Sequence, residues 1–346
     1  MTQHDAILVV SFGGPEKADE VLPFLEHVVK GRGVPKERLT AVAEHYYALG
    51  GRSPINDQNR ALIAALEEEL SENPLSIEKL PIYFGNRHSA PFLEDTMREM
   101  ADAGVKNAVA IVTSAFSSYS GCRQYREAVA VAQENVEGAP NITFIRRFFN
   151  HPGFLDAFAD RVQSAIGEIG GEPRIAFTAH SIPVSMAESS DYEKQLMEAC
   201  ELVAAKVGVS QWQLVYQSRS GPPTVPWLEP DILDHIEALS LIGTERVVIA
   251  PIGFISDHME VVWDLDHEAK EACEEHGIEM ARALTVGTHP NFVSGLRELI
   301  GEVIGDVTDK RSLGVLGPRV SPCAADCCPR PARRPRPPTP ANGVTR

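Results

Sequence analysis

Several things are missing from this chain, and each absence closes a door. No run of about 18 apolar residues occurs in its 346 positions, so no membrane-crossing helix is expected. The amino end, MTQHDAILVVSFGG, lacks a basic segment, a long apolar stretch and a small-residue cleavage site. It does not read as a secretory signal, and the cytoplasm is the expected location. Basic charge is short: 32 Lys and Arg stand against 48 Asp and Glu, a formal net charge of -16. That disfavours nucleic acid or an anionic membrane as a general electrostatic partner, although it leaves room for a locally basic pocket. No G-x-G-x-x-G and no Walker pattern follows a strand, so SFGGPE after the first apolar run reads as a tight turn ending in Pro15. Only six cysteines occur, too few for a disulfide framework in an intracellular chain of this size.

What is present is an alternation. Continuous runs rich in Val, Ile and Ala recur at 6–12, 80–85, 107–114, 174–180, 213–218 and 246–254. Amphipathic stretches separate them, among them 94–103, 192–206 and 231–241. Apolar runs without polar alternation fit strands buried on both faces, as in a parallel sheet. The order predicts an α/β fold of two Rossmann-like halves, each a parallel sheet flanked by helices, around a cleft. The expected division is 1–150, 151–310 and a cysteine-containing tail at 311–346, rich in Pro and Arg and disordered from about 329.

Chemistry concentrates in a few places. FISDHMEVVWDLDHE (254–268) puts Glu260, Asp264 and Glu268 at i, i+4 and i+8, three like charges on one helical face. The plain alternative is a wet face, but Val261, Val262 and Leu265 take up the other sides. A π-bulge is expected there, as at many functional sites. FTAHSIP sets His180 at the carboxyl end of a buried strand, where open α/β sheets place ligand sites. QSRSGPPTVPWLEPD offers Trp227 as a flat wall beside a rigid loop, with ordinary packing as the competing account. HYYALGGRSPIN and FSSYSGCRQYRE supply tyrosines, arginines and serines suited to a large flat ligand with acidic substituents. Cys323, Cys327 and Cys328 form C-x3-C-C; such clustering suggests metal or cluster ligation, but no common ferredoxin spacing.

Taken together, TAHSIP, QSRSGPPTVPWLEP and PIGFISDHMEVVWDLDHE resemble the ferrochelatases, from about Ile7 to Val303. The likeness is strongest to the actinobacterial coproporphyrin III ferrochelatases, which insert ferrous iron into that porphyrin before a decarboxylase acts on the product. The resemblance implies a lyase of haem biosynthesis with two Rossmann-type halves around a porphyrin cleft. It makes His180 the catalytic histidine and Glu260 the metal-site glutamate, with Asp264 and Glu268 as a ladder for hydrated iron or released protons. Porphyrin contacts carry over to Ser53, Tyr125, Tyr46 and Arg32. Phe12 stands where many relatives carry a tyrosine that ligates product iron, and phenylalanine cannot ligate. A [2Fe-2S] cluster held by Cys122, Cys323, Cys327 and Cys328 is implied too, which requires neighbouring Cys327 and Cys328 to turn toward one centre. The residues do not say which of His180 and Glu260 holds iron and which accepts pyrrole protons, although a base titrating near neutrality favours the histidine. Protoporphyrin IX as substrate and a non-catalytic haem or porphyrin carrier are the competing readings.

Overall fold

The computed structural model describes residues 3–31, 33–77 and 80–331. The apolar runs become two sheets of four strands, parallel throughout. The first is built from β1 (Ala6–Ser11), β2 (Ile82–Asn86), β3 (Asn107–Val112) and β4 (Asn141–Phe144), in the order β2-β1-β3-β4. The second uses β5 (Arg174–His180), β6 (Trp212–Gln217), β7 (Arg246–Ala250) and β8 (Glu279–Arg282), in the order β6-β5-β7-β8. Inner strands explain the runs: β1 is buried at every position, with Ile7 paired to Ile82 on one side and Val109 on the other. Edge strands β4 and β8 each have one exposed and three half-exposed residues, and so carry no continuous apolar signal.

In each sheet the first strand lies inside, so successive connections leave it in opposite directions. The crevice at the carboxyl end of such a reversal is where ligands bind. It falls between β1 and β3 in one half, and between β5 and β7 in the other. The halves share a core rather than merely touching. Phe154 and Phe158 of helix Pro152–Ile169 pack with Phe177 of β5, Val9 of β1 and Phe292 of helix Pro290–Ile304.

Two glycines permit close approaches that matter. A Cβ on Gly253, in the loop leaving β7, would stand 2.7 Å from the Ala179 Cα, so only glycine lets that loop lie against the end of β5. A Cβ on Gly14 would stand 2.7 Å from the Ser53 Cβ. The SFGGPE turn is thus a packing turn: the Gly14 N–H donates to Ser89 Oγ at 3.0 Å.

The expected π-bulge is a full π-helical stretch, Val262–Ala269, and a second π turn spans Tyr119–Arg123. Beyond helix Pro290–Ile304 the chain returns over the body as a strap. Asn150 Nδ2 donates to the carbonyls of Leu313 (3.2 Å) and Gly317 (2.9 Å), and Glu198 Oε1 accepts the Val315 and Leu316 N–H groups at 2.6 and 2.8 Å. The stretch expected to be disordered from about 329 lies, from 332 onward, outside the described residues.

Candidate functional site

The two inner strands of the second sheet bring His180 and Glu260 together. His180 ends β5, and Glu260 follows the loop that Gly253 lets settle against it. The His180 Nε2 lies 3.4 Å from Glu260 Oε2. Its other nitrogen, Nδ1, is 2.5 Å from the Ser181 carbonyl oxygen. A carbonyl can only accept, so Nδ1 carries the hydrogen. The neutral ring therefore presents the Nε2 lone pair to Glu260. Burial works against charge on His180, but the Glu260 carboxylate outweighs it and raises its pKa above the ordinary value. The same pairing overcomes burial at Glu260 and lowers its pKa to about 2. Protein surrounds Glu260, yet its side chain keeps 49% exposure.

His258 completes this corner. Its Nδ1 accepts the Val261 N–H at 3.1 Å, capping the helix that carries Glu260, so Nε2 bears the hydrogen and faces Glu260 Oε2 at 4.0 Å. Burial lowers the His258 pKa.

Asp264 and Glu268 extend from this corner along the π-helix. With about 4.4 residues per turn, positions four apart stay close to one face. Val261, Leu265 and Ala269 are fully buried on another, so the acids do not belong to an ordinary wet helix. Asp264 is pushed up to about 7, first by burial and then by repulsion from Glu260 and Glu268, against hydrogen bonds from Ser218 and Gln217. Gln217 Nε2 stands 3.3 Å from Asp264 Oδ2, and Ser218 reaches it by adopting a left-handed φ of 61°. Trp263 Nε1 donates to Glu268 Oε1 at 2.9 Å. Gln217, Ser218, Trp263, Asp264 and Glu268 line a cavity of about 240 Å³.

The opposite wall belongs to the first half. Phe12 packs on Phe24 (6.1 Å between centroids) and His88 (4.5 Å), and shares an apolar cluster with Tyr46 and Met259, the neighbour of Glu260. Burial, with the Glu260 charge adding to it, raises the Tyr46 phenol above its usual range. Ser53 is buried, its N–H donating to the Pro15 carbonyl at 2.9 Å. Tyr125 is buried with the Arg87 guanidinium 4.8 Å over its ring. Among the described residues, neither Ser53 nor Tyr125 hydrogen-bonds to the His180–Glu260 pair. Trp227 is half-buried beside the loop after His180, through a bridge to Pro183. Arg32 lies outside the described residues.

The four cysteines singled out by position converge. Cys122 sits in the Tyr119–Arg123 π turn, and its thiol contacts those of Cys323 and Cys328. Cys327 and Cys328 bring their sulfurs to 3.6 Å, which Cys328 achieves with a left-handed φ of 51°. Contact with Cys323 and Cys328, aided by Arg147 and Arg126, lowers the Cys122 pKa, while Cys323 and Cys328 are pushed up. Four thiols from two distant segments thus stand near one another, with that of Cys122 already inclined to ionise. Among the described residues, no three His, Cys, Asp or Glu side chains form a group that could hold a metal ion. Arg123, expected near the ligand, instead holds the tail, donating to the carbonyls of Ala325 (2.6 Å) and Cys327 (3.2 Å). Cys200 and Cys273 are buried helix residues, their pKa values raised by burial.

Sequence reasoning missed His258, Ser218, Gln217 and Trp263. The signal for His258 was there, two positions before Glu260 at a helix start. Ser218 depends on a backbone conformation that its residue type does not announce.

Residues 4–303 match the sequence model of the Ferrochelatase family. A ferrochelatase from Rhodopirellula baltica is 53% identical over 337 residues, covering 96% of this chain and 95% of that protein. A coproporphyrin III ferrochelatase from Streptomyces coelicolor is 48% identical over 361 residues, covering 96% of this chain and 95% of that protein. Among solved structures, the sirohydrochlorin chelatase SirB from Bacillus subtilis subspecies spizizenii, in complex with cobalt, superposes with a TM-score of 0.52 at 11% identity. The match covers 88% of this chain and 97% of that one. At that identity the likeness concerns the fold.

Proposed function

This chain belongs to the ferrochelatase family, and we propose that it inserts Fe²⁺ into coproporphyrin III, releasing two protons. The observation that carries the reading is the His180–Glu260 pair, with the imidazole Nε2 3.4 Å from a carboxylate oxygen, on the segment whose next two acids in the row, Asp264 and Glu268, line a cavity. Relatives of 46–49% identity named for coproporphyrin III support the choice of porphyrin.

Metallation must hold a partly dehydrated Fe²⁺, remove two pyrrole protons and keep bulk water out. Carboxylate and imidazole both suit Fe²⁺. Glu260, ionised across the working range, is the group fitted to receive the cation, which reaches it past Glu268 and Asp264. A divalent cation at Glu260 opposes the charge on His180 and frees its Nε2 to accept a pyrrole proton. Asp264, near neutrality, takes protons up and releases them toward the cavity. Tyr46, Ser53, Tyr125, Trp227 and Arg32 would contact the macrocycle or its carboxylates. Phe12 offers the product iron no ligand.

Cys122, Cys323, Cys327 and Cys328 would hold a [2Fe-2S] cluster, which supplies a one-electron redox centre and a cross-link between the π turn and the tail. No helix among the described residues is long and apolar enough to cross a membrane, which is compatible with the proposed cytoplasmic site. Iron coproporphyrin keeps all four propionates, so the proposed downstream partner is a decarboxylase.

Anaerobic incubation with coproporphyrin III and Fe²⁺, followed by the Soret shift, tests the reaction. His180→Ala should abolish insertion and keep porphyrin binding. Wild-type insertion no faster than buffer would leave only a carrier. For the cluster, anaerobically purified protein should absorb in the visible and carry about two irons per chain. A colourless, fully active protein would remove that assignment.

A further inference from the structure

One cation at the rim of the first sheet meets two rings and the Tyr125 side chain, to which it is hydrogen-bonded, but no carboxylate among the described residues. Arg87 leaves the carboxyl end of β2, its N–H bonded to the Ser11 carbonyl at 3.0 Å, and so stands at the rim of the first sheet beside Phe12. Its guanidinium lies 4.8 Å from the Tyr125 ring and 5.8 Å from the Phe12 ring. Two of its nitrogens, Nε and Nη1, are shielded from solvent and have no hydrogen-bond partner. The chain has 48 acids against 32 Lys and Arg, yet among the described residues Arg87 makes no ion pair. A guanidinium spreads five N–H donors in a planar fork, and a carboxylate that reaches the unmet ones gains charge-assisted hydrogen bonds.

The surroundings favour an anion. Lys30 and Arg87 both act on His27, and after burial they hold its imidazole below the ordinary value. His27 Nδ1 meets His88 Nδ1 at 3.2 Å, and His88 packs on Phe12. A shielded guanidinium with unmet donors is unfavourable unless a bound acceptor compensates it. The rings of Phe12 and Tyr125 fix its plane before that acceptor arrives.

We propose that Arg87 anchors a carboxylate of the porphyrin substrate at the rim between Phe12 and Tyr125. The assignment rests on the function proposed above and deepens it. It names the residue that holds one acidic arm while His180 and Glu260 act on the ring centre.

The test is a binding titration of the full chain with coproporphyrin III, read by tryptophan fluorescence quenching. Arg87→Gln should weaken Kd by about tenfold to a hundredfold, the range for a charge-assisted pair. Arg87→Lys, which keeps the charge and loses the fork, should fall between it and wild type. The tetramethyl ester of the same porphyrin has no carboxylate, and should bind Arg87→Gln and wild type alike. Unchanged coproporphyrin affinity in Arg87→Gln overturns the assignment, and so does an equal loss toward the ester, which would mark a collapsed wall. If Arg87→Gln melts well below wild type, Arg87→Lys decides, and wild-type affinity in it overturns the proposal. Wild type that binds porphyrin without metallating it would sink the proposed reaction and leave this site standing. Wild type that metallates normally, with undiminished binding by Arg87→Gln, would sink this site alone.

Discussion

Asp264→Asn should make the protein more stable and less active at once. The carboxyl of Asp264 rises from 3.8 to about 7 in the fold, chiefly because it is buried, with Glu260 and Glu268 adding repulsion. Its folded value lies above its unfolded one, so the folded chain holds this proton more tightly. That contribution is complete below about pH 3.8 and is lost as pH climbs through about 7. A rise of about three pH units corresponds to a ceiling of about 4 kcal/mol, and solvent reaching the cavity reduces it to about 2 kcal/mol. Asparagine keeps an oxygen for Ser218 and Gln217 and carries no charge. The variant should therefore match wild type near pH 3.8, pull ahead as pH rises, and level off above about 7 at an advantage of roughly 2 kcal/mol. Thermal melting at matched scan rates in chelator-containing buffer reads this as a Tm gain of several degrees at pH 8. Insertion at the same pH should fall, because one step for protons or iron has gone. A variant less stable than wild type at pH 8, or one with a constant offset from pH 5 to 8, would refute the reasoning.

Other outcomes follow from the same geometry. Glu260→Gln removes the charge that lifts His180, so burial should carry the imidazole below its ordinary value. Wild type loses the His180 contribution to stability as pH rises from about 6.5 through the higher folded value. The Gln variant should lose that slope and nearly all turnover, as melting curves and a pH–rate profile would register. Gly253→Ala places a Cβ 2.7 Å from the Ala179 Cα, so the loop must retreat. Destabilisation of about 1–3 kcal/mol is expected, with a drop in kcat from the displaced Glu260 segment. Denaturant melts and steady-state rates check both parts, and a silent substitution would show that the loop does not need this approach.

What the sequence announced and what it hid divide along a physical line. Inner strands such as β1, β5 and β7 were legible because burial on both faces demands unbroken apolar runs. Edge strands Asn141–Phe144 and Glu279–Arg282 lack that demand. That His180 and Glu260 would stand close together was legible because their motifs are contiguous and follow strand ends. The convergence of Cys122 with Cys323, Cys327 and Cys328 was expected from family likeness alone, since about 200 residues separate the segments. Arg87 was invisible for a different reason: its importance lies in acceptors that are not there, a property of the surroundings and not of the residue. Arg123 misled for the converse reason, because a tail distant in sequence claims its donors.

The acid row also explains why repulsion is tolerated. Three carboxylates on one face would cost a few tenths of a kcal/mol per pair on an exposed helix, and more when shielded. Among the described residues no Lys or Arg pairs with any of the three to cancel that cost. The fold answers each acid differently: His180 and His258 stabilise the charge on Glu260, the Trp263 N–H fixes Glu268, and Asp264 between them rises to about 7. Near neutral pH the middle position is therefore protonated about half the time. Under the proposed function, a row whose centre neither holds its proton firmly nor gives it up fully would pass protons outward and cations inward. A lysine placed to quench the repulsion would pin Asp264 in its charged form and end that exchange.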